Sequence, residues 1–248
     1  MRALAARRPI GHTLSTATTR GGKAVPATAT RKPADVQAAD PLEARVARIR
    51  ELAETDPAAA QAEAWAWFVE AGRRIQRDRS GAVRELGELF RAGEASTGID
   101  GETEGTLVGF TITPGLDRTL AAFSSAWLPW AGKRFDTAAA SGDNLLLRSA
   151  RLPSKLLWPR YRMRDAGRRI AAFNFETRVE PGALDTDRDV LVIDYAVVSE
   201  NPLLIKRIRD ELVEIVPGAH LGKMLWRHGQ GERHTLLAYF ALKTPPAV

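Results

Sequence analysis

The sequence predicts an α+β protein: an antiparallel, lipocalin-like β-barrel preceded by a helical appendage. Three observations predict it. From Pro41 to Phe90, apolar residues recur at helical spacing behind Asp-Pro starts. After Gly93 the texture changes to six or more short apolar runs, many alternating with period two and separated by Gly, Pro and Asn turns. Their short spacing argues for an antiparallel barrel or sandwich over a parallel sheet. The expected organisation is a disordered basic tail at 1–39, helices at 40–92 and a barrel at 93–248.

Residues 1–39 are rich in Ala, Thr, Arg, Gly and Pro and almost free of large apolar residues. Such a segment cannot offset its ordering entropy by burial. Asp40-Pro41 opens a first helix with Leu42, Val46, Ile49 and Leu52 on one side. Asp56-Pro57 opens a second, carrying Trp65, Phe68, Val69 and Ile75. Trp65 and Trp67 project about 200° apart, so one of them is expected to meet the barrel wall. Ser80-Gly81 starts a third, with Val83, Leu86, Leu89 and Phe90.

A glycine-punctuated loop, GEASTGIDGETEG, leads into a strand at 106–113. Leu116, Leu120, Phe123 and Trp127 form a helical stripe that Pro129 ends. Trp130 and the basic Gly132-Lys133-Arg134-Phe135 corner follow, placing two cations beside two indole rings. Strands are expected at 144–148, 168–180, 190–198, 219–228 and 233–243, with a helical segment at 201–215 (NPLLIKRIRDELVEI). The 168–180 run places Ala171, Phe173 and Phe175 on one face. The 190–198 run is apolar on both faces except at Asp194, so it needs cover from outside the sheet; the N-terminal helices are the expected source.

The 248 residues carry 36 Lys and Arg against 30 Asp and Glu. The excess resides in residues 1–39, where seven basic residues face Asp35 alone. The remainder is neutral, so no electrostatic bias towards phosphate, and no nucleic-acid partner, is expected. The absence of cysteine suits a reducing compartment, and a cytoplasmic protein is expected. No apolar run of about 18 residues exists, so no membrane span is expected.

Standard catalytic constellations are missing. There is no G-x-S-x-G, H-E-x-x-H or C-x-x-C pattern. No metal site and no cofactor are expected. His220 and the pair His228 and His234 leave a haem contact as a remote alternative. Asp194 needs a partner if buried; Lys223 and Arg227, on one face of a later strand, are the candidates.

The stretches Trp130-Ala131-Gly132-Lys133-Arg134-Phe135, Asn144–Leu147, Glu200–Asp210, Leu221–Met224 and Ala238–Lys243 resemble, in kind and order, a bacterial lipocalin-like family. That family is named for a GXWXG motif and carries W-x-G-K-x-F nearby. The W-x-G-K-x-F piece is matched in full. The GXWXG piece is absent; the nearest stretch is Leu89–Gly93, with Phe90 in place of Trp. The resemblance covers roughly 88–243 and implies a calycin-type barrel that holds a small apolar ligand.

The expected function is therefore binding of a small hydrophobic or amphipathic molecule in a barrel cavity. Trp130, Phe173, Phe175, Tyr195 and Tyr239 would line it, and Lys133, Asp194, Lys223 and Arg227 would supply polar anchors. Two alternatives stand beside it: a cavity enzyme of cyclase or isomerase type using Asp194 and a tyrosine, and a barrel filled by its own side chains.

Overall fold

The computed structural model describes residues 41–112, 129–229 and 233–245. The tail at 1–39 and the stripe from Leu116 to Trp127 lie outside them. Three helices come first: α1 (Pro41–Thr55), α2 (Pro57–Ile75) and α3 (Arg79–Ala92). Asp56 caps α2 through the Ala59 N–H, with Pro57 at the first helical position. Asp78 caps α3 through the Gly81 N–H, two residues before the Ser80-Gly81 start read from the sequence.

The strands are β1 (Glu94–Ala95), β2 (Gly101–Glu102), β3 (Glu104–Phe110), β4 (Trp130–Asp136), β5 (Ser141–Leu147), β6 (Arg164–Ala166), β7 (Arg169–Pro181), β8 (Asp189–Asp194), β9 (Ile208–Val216), β10 (Ala219–His228) and β11 (Arg233–Lys243). A short helix, α4 (Arg151–Leu157), lies between β5 and β7. The ladder runs β2-β4-β5-β7-β8-β9-β10-β11-β3, and every pairing is antiparallel. Its two ends belong to one extended stretch. Gly101 and Glu102 pair with β4, Thr103 donates its N–H to the Lys133 carbonyl at 2.8 Å, and from Glu104 onwards the chain pairs with β11. The sheet is thereby a nearly closed barrel.

Gly105 and Gly132 make the closure tight. A Cβ at Gly132, whose φ is 142°, would strike the Thr103 carbonyl oxygen, and one at Gly105 would overlap the Trp130 ring.

Two apolar clusters result. One fills the space between the helices and the outer barrel wall: Trp67, Phe68, Leu86, Leu89 and Phe90 meet Val190, Val192, Val213, Ile215, Leu221 and Tyr239. The helices thus cover the second face of β8. Trp67 is buried among the helices, donating to Glu85 at 2.7 Å, whereas Trp65 reaches the barrel, with Lys243 Nζ 4.9 Å from its ring. The other cluster fills the interior and includes Trp130, Phe135, Phe173, Phe175, Ile193, Tyr195, Leu212, Met224 and Phe240.

Three segments differ from the sequence expectation. The strand expected at 190–198 ends at Asp194, as β8. The Gly132-Lys133-Arg134-Phe135 corner is the middle of strand β4. Of the expected helix at 201–215, only a 3₁₀ turn at Ile205–Arg207 is helical; Ile208–Val216 is strand β9. Ile208 and Leu212 share a face at spacing four in either conformation, so their spacing alone could not separate the two.

Candidate functional site

Period two on β4 sends Lys133 and Phe135 into the barrel, and a register shift between Trp130 and Gly132 brings Trp130 in as well. Lys133 is fully buried. Its ammonium donates to Asp210 Oδ2 at 2.8 Å, Asn144 Oδ1 at 2.9 Å and the Tyr195 hydroxyl at 2.5 Å. Tyr195 donates to the same Asp210 oxygen at 2.9 Å. Asn144 Nδ2 donates to the Tyr195 hydroxyl at 3.0 Å and to the Phe173 carbonyl at 3.2 Å, while the Trp130 indole N–H donates to Asn144 Oδ1 at 3.1 Å. Four rings surround the ammonium: Trp130, Phe175, Tyr195 and Phe240, with centroids at 5.6, 5.4, 5.2 and 5.3 Å.

Burial pushes the Lys133 ammonium below its ordinary pKa, and the Asp210 charge and hydrogen bond oppose that shift. Burial, reinforced by the Asp210 charge, pushes the Tyr195 phenol well above its own. Asp210 Oδ1 is buried and has no hydrogen-bond partner among the described residues. An acceptor in that state is costly to leave unmade. It presents a site for a hydroxyl or N–H donor inside an aromatic-walled barrel.

Phe173 sits at φ 52° where the β5–β7 ladder shifts register. The bulge turns its ring against Tyr161 (stacked, 5.1 Å) and Trp158 (edge-on, 5.3 Å). A cleft of about 740 Å³ is lined by Arg134, Asp143, Arg164 and Glu176 together with Phe135 and Phe175. Phe175 thus borders both this cleft and the Lys133 cluster.

The structure therefore brings Trp130, Lys133, Phe173, Phe175 and Tyr195 together in the interior. It places the other four candidates on the outer wall. Asp194 accepts from Arg178 and Arg227, each at 2.9 Å, and from the Ala196 N–H at 2.9 Å. Burial raises its pKa, but the Ala196 N–H and the two guanidiniums outweigh that and leave it below the usual carboxylate range. Lys223 pairs with Asp185 and lies 4.2 Å from the Phe90 ring. Tyr239 packs under α3, close to Gly87, where burial raises its pKa. The expected Asp194–Arg227 pair forms, but outside the cavity, because Asp194 shares its face with Val190 and Val192. The sequence reading missed Asp210 and Asn144. Asn144 was the first residue of a recognised run; Asp210 lay in the segment read as helix.

At the barrel's other end, His220 Nδ1 lies 3.0 Å from Ser96 Oγ, and its Nε2 has no hydrogen-bond partner among the described residues. Burial lowers the His220 pKa to about 4. The unfolded chain therefore binds a proton between about pH 6.5 and pH 4 that the folded chain refuses. Stability present above that window is lost as pH falls through it, by about 3 kcal/mol at most. Glu214, pushed up chiefly by its burial, titrates in the opposite sense. Unfolding free energies measured from pH 7 to pH 4 should fall less steeply for His220→Gln than for the parent; parallel curves would refute the assignment.

No family model matches the chain, and no curated protein matches it. A solved structure described as "Crystal structure of protein from Thermomonospora curvata" is similar at 16% identity, covering 71% of this chain and 99% of that one, with a TM-score of 0.39. No described helix is long and apolar enough to cross a membrane.

Proposed function

We propose that the barrel binds a small amphipathic molecule whose polar end meets the Lys133–Asp210–Tyr195–Asn144 cluster. Its apolar part lies against the rings of Trp130, Phe175 and Phe240. The observation that carries the reading is the unpaired Asp210 Oδ1 beside a buried, aromatic-walled ammonium. A polar handle within an apolar enclosure is the usual grammar of small-molecule sites. The W-x-G-K-x-F motif and the barrel support a place near the GXWXG-type lipocalin-like proteins, with Lys133 as the motif's own lysine. The enzyme alternative built on Asp194 loses its acid–base group to two arginines on the outer wall.

Native mass spectrometry of the purified chain tests the proposal. The expected result is a stoichiometric small-molecule adduct that is lost on denaturation. Medium-chain alcohols should also raise Tm where the matching alkanes do not. A bare mass with no Tm response to either series would overturn it. A second reading is favoured by the saturation of the Lys133 ammonium, which already has three acceptors: the cluster is then an internal post in a filled barrel. That reading predicts the second result.

A further inference from the structure

We infer that the β5–β7 connection, with α4 at its centre, docks the protein on an anionic lipid bilayer. The inference stands whether or not the barrel takes a ligand. Strand directions place this connection at the end of the barrel where β4 begins and β7 starts. Its inner side is anchored: Ala150 and Ser154 are buried, and Trp158, Tyr161 and Met163 pack on the interior cluster. Its outer side inverts the usual surface pattern. Leu152 and Leu156, four residues apart on one face of α4, are 83% and 85% exposed, and Leu147 and Leu157 are 49% and 42% exposed. A small polar serine faces inward while leucines face out, the reverse of an ordinary surface helix.

Charge is concentrated around those leucines. From Arg148 to Arg169 the chain holds eight arginines and lysines against Asp165 alone. Arg148 and Arg151 share Asp165, whereas Lys155, Arg160, Arg162 and Arg168 are exposed and make no ion pair among the described residues. The neutral sum of the folded body thus hides a strongly basic face. An anionic bilayer satisfies both features at once: phosphates meet the guanidiniums, and hydrocarbon just beneath receives the leucines. A nucleic acid supplies the phosphates without the apolar layer.

Co-sedimentation of the full chain with vesicles of mixed phosphatidylcholine and phosphatidylglycerol, against phosphatidylcholine alone, tests this. We expect salt-sensitive binding to the mixed vesicles at least ~10-fold tighter than to the neutral ones. Leu152→Ser/Leu156→Ser should weaken that binding by ~10-fold or more with Tm unchanged, since both side chains are exposed. Three results would each overturn the inference: no binding to mixed vesicles; binding that the leucine variant leaves intact, which the basic tail alone would give; or equal affinity for an oligonucleotide that the variant does not alter.

Discussion

Lys133→Met is expected to lower the unfolding free energy by about 3–5 kcal/mol, because it leaves the Asp210 carboxylate buried with Tyr195 as its remaining partner. The Lys133–Asp210 pair lies at the centre of an aromatic enclosure, where a lone charge is poorly screened. The double variant Lys133→Met/Asp210→Leu should recover most of the loss, since two apolar side chains of similar size leave no buried charge behind. Urea-denaturation midpoints of the parent, both single variants and the double variant form the cycle that checks it. A Lys133→Met loss below about 1 kcal/mol would overturn this expectation. The same double variant separates the two functional readings. A filled barrel tolerates the exchange with nothing further lost, whereas a ligand-binding barrel keeps its fold and loses its adduct.

Phe68→Ala should cost about 3–5 kcal/mol although it lies on α2 and outside the barrel. Phe68 is fully buried in the cluster that joins the helices to Val190, Val213 and Tyr239. Its loss opens a cavity at that junction, and the barrel wall behind it cannot easily collapse. Differential scanning calorimetry should show one transition shifted downwards. Two separated transitions would show that helices and barrel unfold independently, contrary to the shared cluster.

The fold class was legible because helical and alternating patterns occupy separate stretches of the chain. Lys133 was legible because it stands in a short motif beside two tryptophans. Asp210 was not. Its neighbours Ile208 and Leu212 fit helical and strand spacing alike, so the helix reading gave no reason to align it with them facing a cavity. Lys223 was placed inward as a partner for Asp194, and Tyr239 as part of an aromatic lining. Helices cover the outside of this barrel, so hydrophobicity no longer marks which side is the interior. The 152–163 run reads as aromatic and basic in the sequence, but summing charge over the whole body averages away the local concentration at 148–169.

The stretch that joins both ends of the ladder has a consequence for synthesis. Glu104 pairs with Lys243, and Phe110 with Ala238. The strand that opens the barrel on the ribosome therefore waits for the strand that completes it. Until β11 has emerged, β3 has no neighbour on that side and β10 presents an unpaired edge. Helices α1–α3, by contrast, pack on one another over short sequence separations, so their assembly needs no later strand. By covering the outer side of β9 and β10, they can shield these strands while the barrel is still open. Ring closure, with its large loop entropy, is the slow step of such a topology. Any factor that holds nascent chains should engage this protein after the helices appear and release it once β11 is made.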